Sequence, residues 1–281
     1  MNLSEKAMLV HLKISMSLFH VKDSAVSSNV KKALNASEDA GSWYTYLIPK
    51  RELDNIVKAA GKCRAVVDSM TLPWNDSGDR ILPAEMYMKF TEKMRPALAE
   101  FDAEVDKFVA RCPEIIARKT ERLGSLDSSK LPTISQIRSK FGYDVDISPM
   151  PTTQDFRVTM SDEDVSTIKN NMEKSISRKV EAAIASIWEE LSVLVGKVEA
   201  TLSEPDKIFR NTLITNLSDF CELIPKLNIV NDTSLEETRK QLIEKLANIH
   251  PETLRDNPTI RKEAAKSAKE ALEKMKEYTS L

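Results

Sequence analysis

The chain has few of the residues that build tight turns, disulfide frameworks and metal sites. Its 281 residues include 6 glycines, 3 cysteines and 3 histidines. So little glycine does not suit a fold rich in tight turns or bulges. The cysteines are odd in number and far apart, which is typical of buried thiols in a reducing compartment and not of a disulfide framework.

Motifs for catalysis and cofactor binding are also lacking. The sequence has no glycine-rich phosphate loop and no dinucleotide fingerprint. His11, His20 and His250 share no spacing with one another or with the cysteines, which excludes a zinc-protease helix and a zinc finger. We therefore expect a protein that is not an enzyme, with no catalytic residues, no cofactor and no bound metal.

Long apolar runs and an excess of charge of one sign are missing too. No run approaches the ~18 apolar residues that span a bilayer, and the N-terminus has no signal-peptide pattern. The formal net charge is -2, which gives no global basic field for nucleic acid. These features predict a cytoplasmic protein that does not interact with membranes.

A long helix is the clearest positive signal. Ser161 is a helix cap followed by three acidic residues, which favour a helix N-terminus. Apolar residues then recur at intervals of three and four until Leu202, and no proline interrupts them before Pro205. Such a helix would be on the order of 60 Å long. It is too long for one compact core and must bury its apolar side against a neighbour.

Alternating residues predict a small antiparallel β element. Leu12–Leu18 alternates as a strand with one wet face, and the segments around Tyr143–Ile147 and Phe156–Met160 predict a hairpin. The N-terminal strand could be its third partner, because an isolated hairpin is marginally stable. Asp144 and Asp146 could hold a cation, but a solvated strand face is the favoured interpretation.

The remaining segments are mainly helical. Helices are expected near 24–34, from Pro49 to about 71, and along 86–116, where Pro96 and Pro113 should kink or break the helix. Trp74–Pro83 looks like a loop, and shorter helices follow at 206–223, 234–248 and 259–277. The predicted fold is mainly α with a small antiparallel β element, a long antiparallel, coiled-coil-like helical pair and a C-terminal helical bundle. The segments are 1–48 (strand and short helix), 49–125 (helices with the long kinked one), 126–160 (β-hairpin region), 161–204 (long helix) and 205–281 (C-terminal helices).

Some residues are candidates for contacts with a partner. Trp74 is either an exposed contact or a buried anchor, and the acidic loop after it is more consistent with a structured turn, with Asp79 pairing locally with Arg80, than with a calcium site. Trp43, Tyr44 and Tyr46 could stack bases, although a packing role is favoured. The candidate partner contacts are Trp74, Asp76, Asp79, Arg80, Arg118, Lys119 and Arg122.

Several phrases together resemble a known family. They are HLKISM (His11–Met16), Leu47–Lys50, LPWND (Leu72–Asp76), GDRILP (Gly78–Pro83), DFRV (Asp155–Val158), Pro205–Arg210 and Pro251–Asp256. The chain is similar along nearly its whole length to phage and mobile-element proteins of unknown function, the DUF3150 type. The resemblance implies a phage-borne protein in the host cytoplasm, beside genes for MoxR-type AAA+ ATPases and von Willebrand-type proteins. It assigns no functional residues. The residues after HLKISM, Ser17–His20, depart from the tryptophan and basic residues expected there.

Three functions remain open from the sequence. The leading hypothesis is a non-enzymatic interaction protein that self-associates or docks a protein partner, such as a AAA+ ATPase, through the long helical pair. An alternative is a nucleic-acid-binding accessory factor in phage replication or recombination. The third is an inhibitor of a host defence protein.

Overall fold

The computed structural model describes residues 3–124, 126, 131–153 and 161–279, without the side chains of residues 119 and 120. Over these residues the protein is mainly α-helical with small antiparallel sheets, as the composition predicts. The strands are β1 (Ala7–Ser15), β2 (His20–Asp23), β3 (Trp43–Tyr46), β4 (Leu72–Pro73), β5 (Asp79–Pro83) and β6 (Gly142–Pro149). The helices are α1 (Ser24–Ala33), α2 (Asp54–Met70), α3 (Tyr87–Ala117), α4 (Lys119–Leu123), α5 (Ile134–Arg138), α6 (Asp162–Leu202), α7 (Thr212–Leu227), α8 (Thr233–Leu242), α9 (Pro251–Asp256) and α10 (Pro258–Thr279).

The chain divides into two compact units. The first unit comprises Met1–His11, Asp68–Met88 and Asp146–Leu281, and the second comprises Leu12–Val67 and Lys89–Val145. Neither unit is one continuous stretch, because the chain passes between them several times. Local sequence patterns carry little information about such a division.

Four strands form a sheet in the order β4-β5-β1-β6. Strand β1 begins at Ala7, well before the predicted Leu12, because Ala7–His11 pairs antiparallel with β5. The prediction that Trp74–Pro83 is a loop is therefore wrong for its second half, which is β5. Strand β6 lies beside β1, as predicted for the first hairpin strand. The second predicted strand, Phe156–Met160, lies outside the described residues.

No side chain of strand β6 is fully buried, so the strand does not have one buried and one exposed face. Tyr143 and Ile147 are both exposed, as are Asp144 and Asp146 between them. The alternation of apolar and acidic residues therefore forms the strand without burying either set fully.

Helix α6 is one continuous helix of 41 residues, as its periodicity predicts. Ser161 caps it by accepting a hydrogen bond from the Asp164 backbone N–H. Its second half packs against α10, where the Trp188 and Tyr278 rings stack with centroids 4.4 Å apart. The two helices run antiparallel here, since Ser192 contacts Met275 and Leu202 contacts Arg261. The predicted pair, between the helices at 86–116 and 161–204, stays a prediction.

The second unit has an aromatic core around α3. Phe19 lies with its ring centroid 6.3 Å from that of Phe108 and 5.8 Å from that of Phe141. Helix α3 continues through Pro96 and Pro113, so the expectation of a break is wrong. Both prolines lie on the exposed side of the helix, where water can hydrogen-bond to the carbonyls that a proline leaves without a donor.

Candidate partner-binding surfaces

The turn between β4 and β5 brings four of the predicted contact residues together. The two strands pair antiparallel through Leu72 and Ile81. Gly78 has a φ of +97°, and a Cβ there would lie 3.4 Å from Cε1 of His11. Glycine is the residue that adopts this backbone conformation without strain, so the turn depends on it.

A network of polar side chains fixes this turn. His11 Nδ1 lies 2.9 Å from Asp79 Oδ1, and Asn75 Nδ2 donates to Asp79 Oδ2 at 2.7 Å. The hydrogen bond from Asn75, assisted by His11, lowers the pKa of Asp79. Asp79 does not pair with Arg80 as expected, because the two are consecutive on a strand and point to opposite faces. Asp79 therefore has a structural role in the turn.

Arg80 is also held within the first unit. Its Nε donates to Thr71 Oγ1 at 2.6 Å, its Nη2 donates to Thr71 O at 3.1 Å, and its Nη1 lies 3.4 Å from Asp68 Oδ1. These contacts tie β5 to the end of α2. Arg80 therefore stabilises the fold through these contacts, although it was predicted as a partner contact.

An open groove of about 430 Å³ lies between this turn and α6. Trp74 forms part of its wall and is 5% exposed, which favours the anchor interpretation over an exposed contact. Lys179 Nζ lies 4.8 Å from the centroid of the Trp74 ring, a cation–π contact. Asp76 faces the same groove as Arg178. Of the four predicted contacts at this turn, Asp76 is the one that is exposed.

The other three predicted contacts lie in the second unit. Arg118 is exposed just after α3, and Lys119 begins α4, with its side chain outside the described residues. Arg122 Nη2 donates to the carbonyls of Tyr46 and Leu47, both at 2.6 Å, and burial lowers the pKa of this guanidinium. Arg122 therefore supplies hydrogen-bond donors to the carbonyls at the end of β3. Arg118, in contrast, is exposed.

The apolar stripe of α6 is covered unequally along its length. Every fully buried side chain of the helix lies between Ala183 and Leu202. None of residues 162–182 is buried, although the stripe continues there. We call this part the α6 docking face; its members are Val165, Ile168, Met172, Ile176 and Val180, all half-buried.

The loop after α6 displays a single large apolar side chain. Ile208 is 94% exposed, whereas its neighbour Phe209 is 8% exposed. The guanidinium carbons of Arg255 and Arg261 lie 4.9 Å and 5.5 Å from the centroid of the Phe209 ring. Arg255 also donates to Phe209 O at 3.0 Å. Ile208 therefore projects from a loop that Arg255 and Arg261 hold in place through Phe209.

Sequence reasoning undervalued an aromatic surface in the second unit. Strands β2 and β3 pair so that His20 lies opposite Tyr46 and Lys22 lies opposite Tyr44. Local spacing shows the aromatic residues near Tyr44, but the pairing that adds His20 and Lys22 is long-range. A correct β2–β3 register would have revealed this surface from the sequence.

The described thiols are buried and resist ionisation. All three cysteines are buried, and burial raises the pKa of Cys112 and of Cys221 to about 11. Within the ranges described, no group of three or more histidine, cysteine or acidic side chains is arranged to hold a metal ion. No helix in this part of the chain combines the length and apolar character required to cross a membrane.

Comparisons with known protein families, curated proteins and solved structures found no match to this chain.

Proposed function

We propose that this protein is a non-enzymatic interaction protein that self-associates through the α6 docking face. The observation that carries the proposal is the contrast between the two halves of one helix. Ile187, Leu191 and Val195 are buried in the second half, whereas the same stripe has no buried member in the first. Burying apolar surface stabilises an association by about 25 cal/mol per Å² before the costs of association.

Charge favours an antiparallel pair of docking faces centred on Met172. This arrangement places Ile168 of one copy opposite Ile176 of the other. The acidic first turn, Asp162–Asp164, then lies within one helical turn of Arg178 of the second copy. Attraction between these groups would set the orientation, and a parallel pair would instead bring the acidic turns together.

In this arrangement the helices after α6 stabilise the half of α6 that does not take part in the pair. The helices after Pro205 act as a C-terminal bundle that covers the second half of α6 and leaves its first half for a coiled-coil-like pair. The apolar interval of 11 residues between Val165 and Ile176 predicts a nearly straight or slightly right-handed pair. The resemblance to phage proteins adds a AAA+ ATPase of the MoxR type as a proposed further partner.

Light scattering coupled to size-exclusion chromatography tests the self-association. The wild-type chain should elute as a dimer at micromolar concentration, and Met172→Asp should elute as a monomer because it places charges at the centre of the pair. Asn171→Asp adds the same charge at the exposed position next to it and should remain dimeric. A wild-type chain that is strictly monomeric, or two variants that behave alike, would remove the proposal.

A cysteine at the proposed two-fold centre tests the geometry. Met172→Cys should form a disulfide between copies under mild oxidation, because residue 172 of each copy faces the other. The native thiols Cys63, Cys112 and Cys221 are all buried and should contribute little background. Cross-linking at Asn171→Cys that equals that at residue 172 would contradict the antiparallel arrangement.

A further inference from the structure

The second unit presents a compact surface of aromatic rings and lysines. We call it the outer hairpin face and define it as His20, Lys22, Tyr44, Tyr46 and Lys50. Residues two apart on a strand share a face, and cross-strand partners do as well, so β2 and β3 place the first four together. On the opposite face of β3, Thr45 is 2% exposed, whereas Trp43 at the start of the strand is 47% exposed.

The rings of this face contact one another and stay accessible. The His20 ring lies 5.3 Å from the Tyr44 ring, nearly edge-on at 71°, and 5.6 Å from the Tyr46 ring. Tyr44 is 47% exposed and His20 is exposed as well. Lys50 Nζ lies 4.4 Å from the centroid of the Tyr46 ring. The face therefore combines π surfaces with cations at its edges.

The segment that carries the face has a slight excess of cations in a chain that is slightly acidic overall. Residues 20–50 contain four lysines and three acids. Each acid is engaged elsewhere: Asp23 caps α1, Glu38 pairs with Lys31, and Asp39 is hydrogen-bonded to the serine two residues before it. Lys22 and Lys50 lie beside the rings, so an anionic ligand with flat apolar groups fits this face.

We propose that the outer hairpin face binds single-stranded nucleic acid. Bases would stack on the exposed rings of Tyr44 and His20, while Lys22 and Lys50 would neutralise phosphates. Stacking on aromatic side chains tolerates any base, because every base has a π face. A duplex covers the faces of its bases, so exposed rings that stack on single bases favour single strands.

This proposal goes beyond self-association, because it rests on the second unit and on none of the residues of α6. The face is small and holds about two or three bases, as aromatic sheet surfaces commonly do. The expected affinity is therefore modest, falls with salt and has little sequence preference.

Fluorescence anisotropy with labelled oligothymidine and oligouridine of about 15 nucleotides tests the proposal in the full-length protein. Wild type should bind at low salt, and the same sequence as a duplex should bind at least about tenfold more weakly. Equal binding of oligothymidine and oligouridine is expected from stacking and phosphate contacts alone. Absence of binding at low salt, or duplex binding as tight as single-strand binding, overturns the proposal.

Variants separate stacking from general charge. Tyr44→Ala should weaken binding about tenfold, whereas Tyr44→Phe should bind like wild type because it retains the ring. Lys22→Ala should weaken binding and reduce the slope of log affinity against log salt by about 0.7. The controls are Tyr87→Ala, an exposed aromatic outside the face, and Lys262→Ala, an exposed lysine of α10, and both should bind like wild type.

Thermal melting followed by circular dichroism shows whether each variant is still folded, so that a loss of binding is not mistaken for unfolding. Tyr44 is on the surface, so Tyr44→Ala should unfold near the wild-type temperature. If Tyr44→Ala binds like wild type, or if the two controls weaken binding as much as it does, nucleic acid does not contact this face.

Discussion

Arg261 of α10 closes the C-terminal end of α6, where its Nε donates to the carbonyl of Leu202 at 3.3 Å. Its Nη2 donates to three more carbonyls, those of Thr201, Glu204 and Lys207, at 2.6 to 3.0 Å. The last turn of a helix leaves carbonyls without intrahelical donors. The Arg261 guanidinium supplies donors to two of those carbonyls, Thr201 and Leu202, and to two in the loop that follows, and Arg261 itself is 8% exposed.

Arg261→Ala should therefore destabilise the first unit strongly. The substitution leaves the carbonyls of half-buried Thr201 and buried Leu202 without this donor and removes two contacts to the loop, so we expect a loss on the order of 3 kcal/mol in the free energy of unfolding. Urea denaturation followed by circular dichroism measures it. Lys262→Ala, at the exposed neighbouring position, should change this free energy by less than about 0.5 kcal/mol. Similar losses in the two variants would show that Arg261 does not have this role.

Gly78 and Gly61 should respond oppositely to alanine. Gly78→Ala forces a side chain into a φ of +97° beside His11 and should cost about 1–3 kcal/mol. Gly61 lies in α2, where an added Cβ would meet open space, so Gly61→Ala should stabilise the protein by about 0.5–1 kcal/mol. Thermal and urea unfolding of both variants checks the difference in sign.

Periodicity identified the elements whose burial repeats locally, and it missed those defined by a distant partner. The apolar spacing from Val165 to Leu202 describes α6 without any knowledge of α10. The phrase GDRILP, in contrast, has the glycine, acid and proline of a loop, and it becomes β5 because Ile81 pairs with Leu9 of β1. The pairing that places His20 beside Tyr44 was missed for the same reason, since strand register depends on contacts across the chain.

The contribution of Asp79 to stability should disappear in acid. Hydrogen bonds from Asn75 and His11 lower the pKa of Asp79 in the folded protein, so its ionised form stabilises the fold above the unfolded value of about 3.9. This stabilisation is lost as the pH falls through the lower, folded-state pKa. Asp79→Asn should therefore be less stable than wild type near neutral pH, and the difference should shrink as the pH drops below about 4. A difference in unfolding free energy that is constant with pH would contradict this role.

The native thiols should be inert until the protein unfolds. Cys63, Cys112 and Cys221 are buried, and burial raises the pKa of each thiol, so little reactive thiolate forms near neutral pH. A colorimetric disulfide reagent should label almost none of them in the folded protein and all three in denaturant. Met172→Cys should add one rapidly labelled thiol when the protein is diluted to a monomer. Fast labelling of a native cysteine would show that its part of the core opens readily.

Ile208 should anchor a protein partner that does not use the α6 docking face. Arg255 and Arg261 hold the loop around Phe209, so the backbone that carries Ile208 needs little further ordering when a partner binds, which lowers the entropic cost of binding. The MoxR-type ATPase proposed above as a further partner, produced together with this chain, should co-purify with wild type and be lost with Ile208→Asp, while Asp206→Ala, in the same loop, should retain it. The Ile208→Asp variant should still dimerise, because α6 is untouched. Retention of the ATPase by Ile208→Asp, or no co-purification with wild type, would exclude this contact.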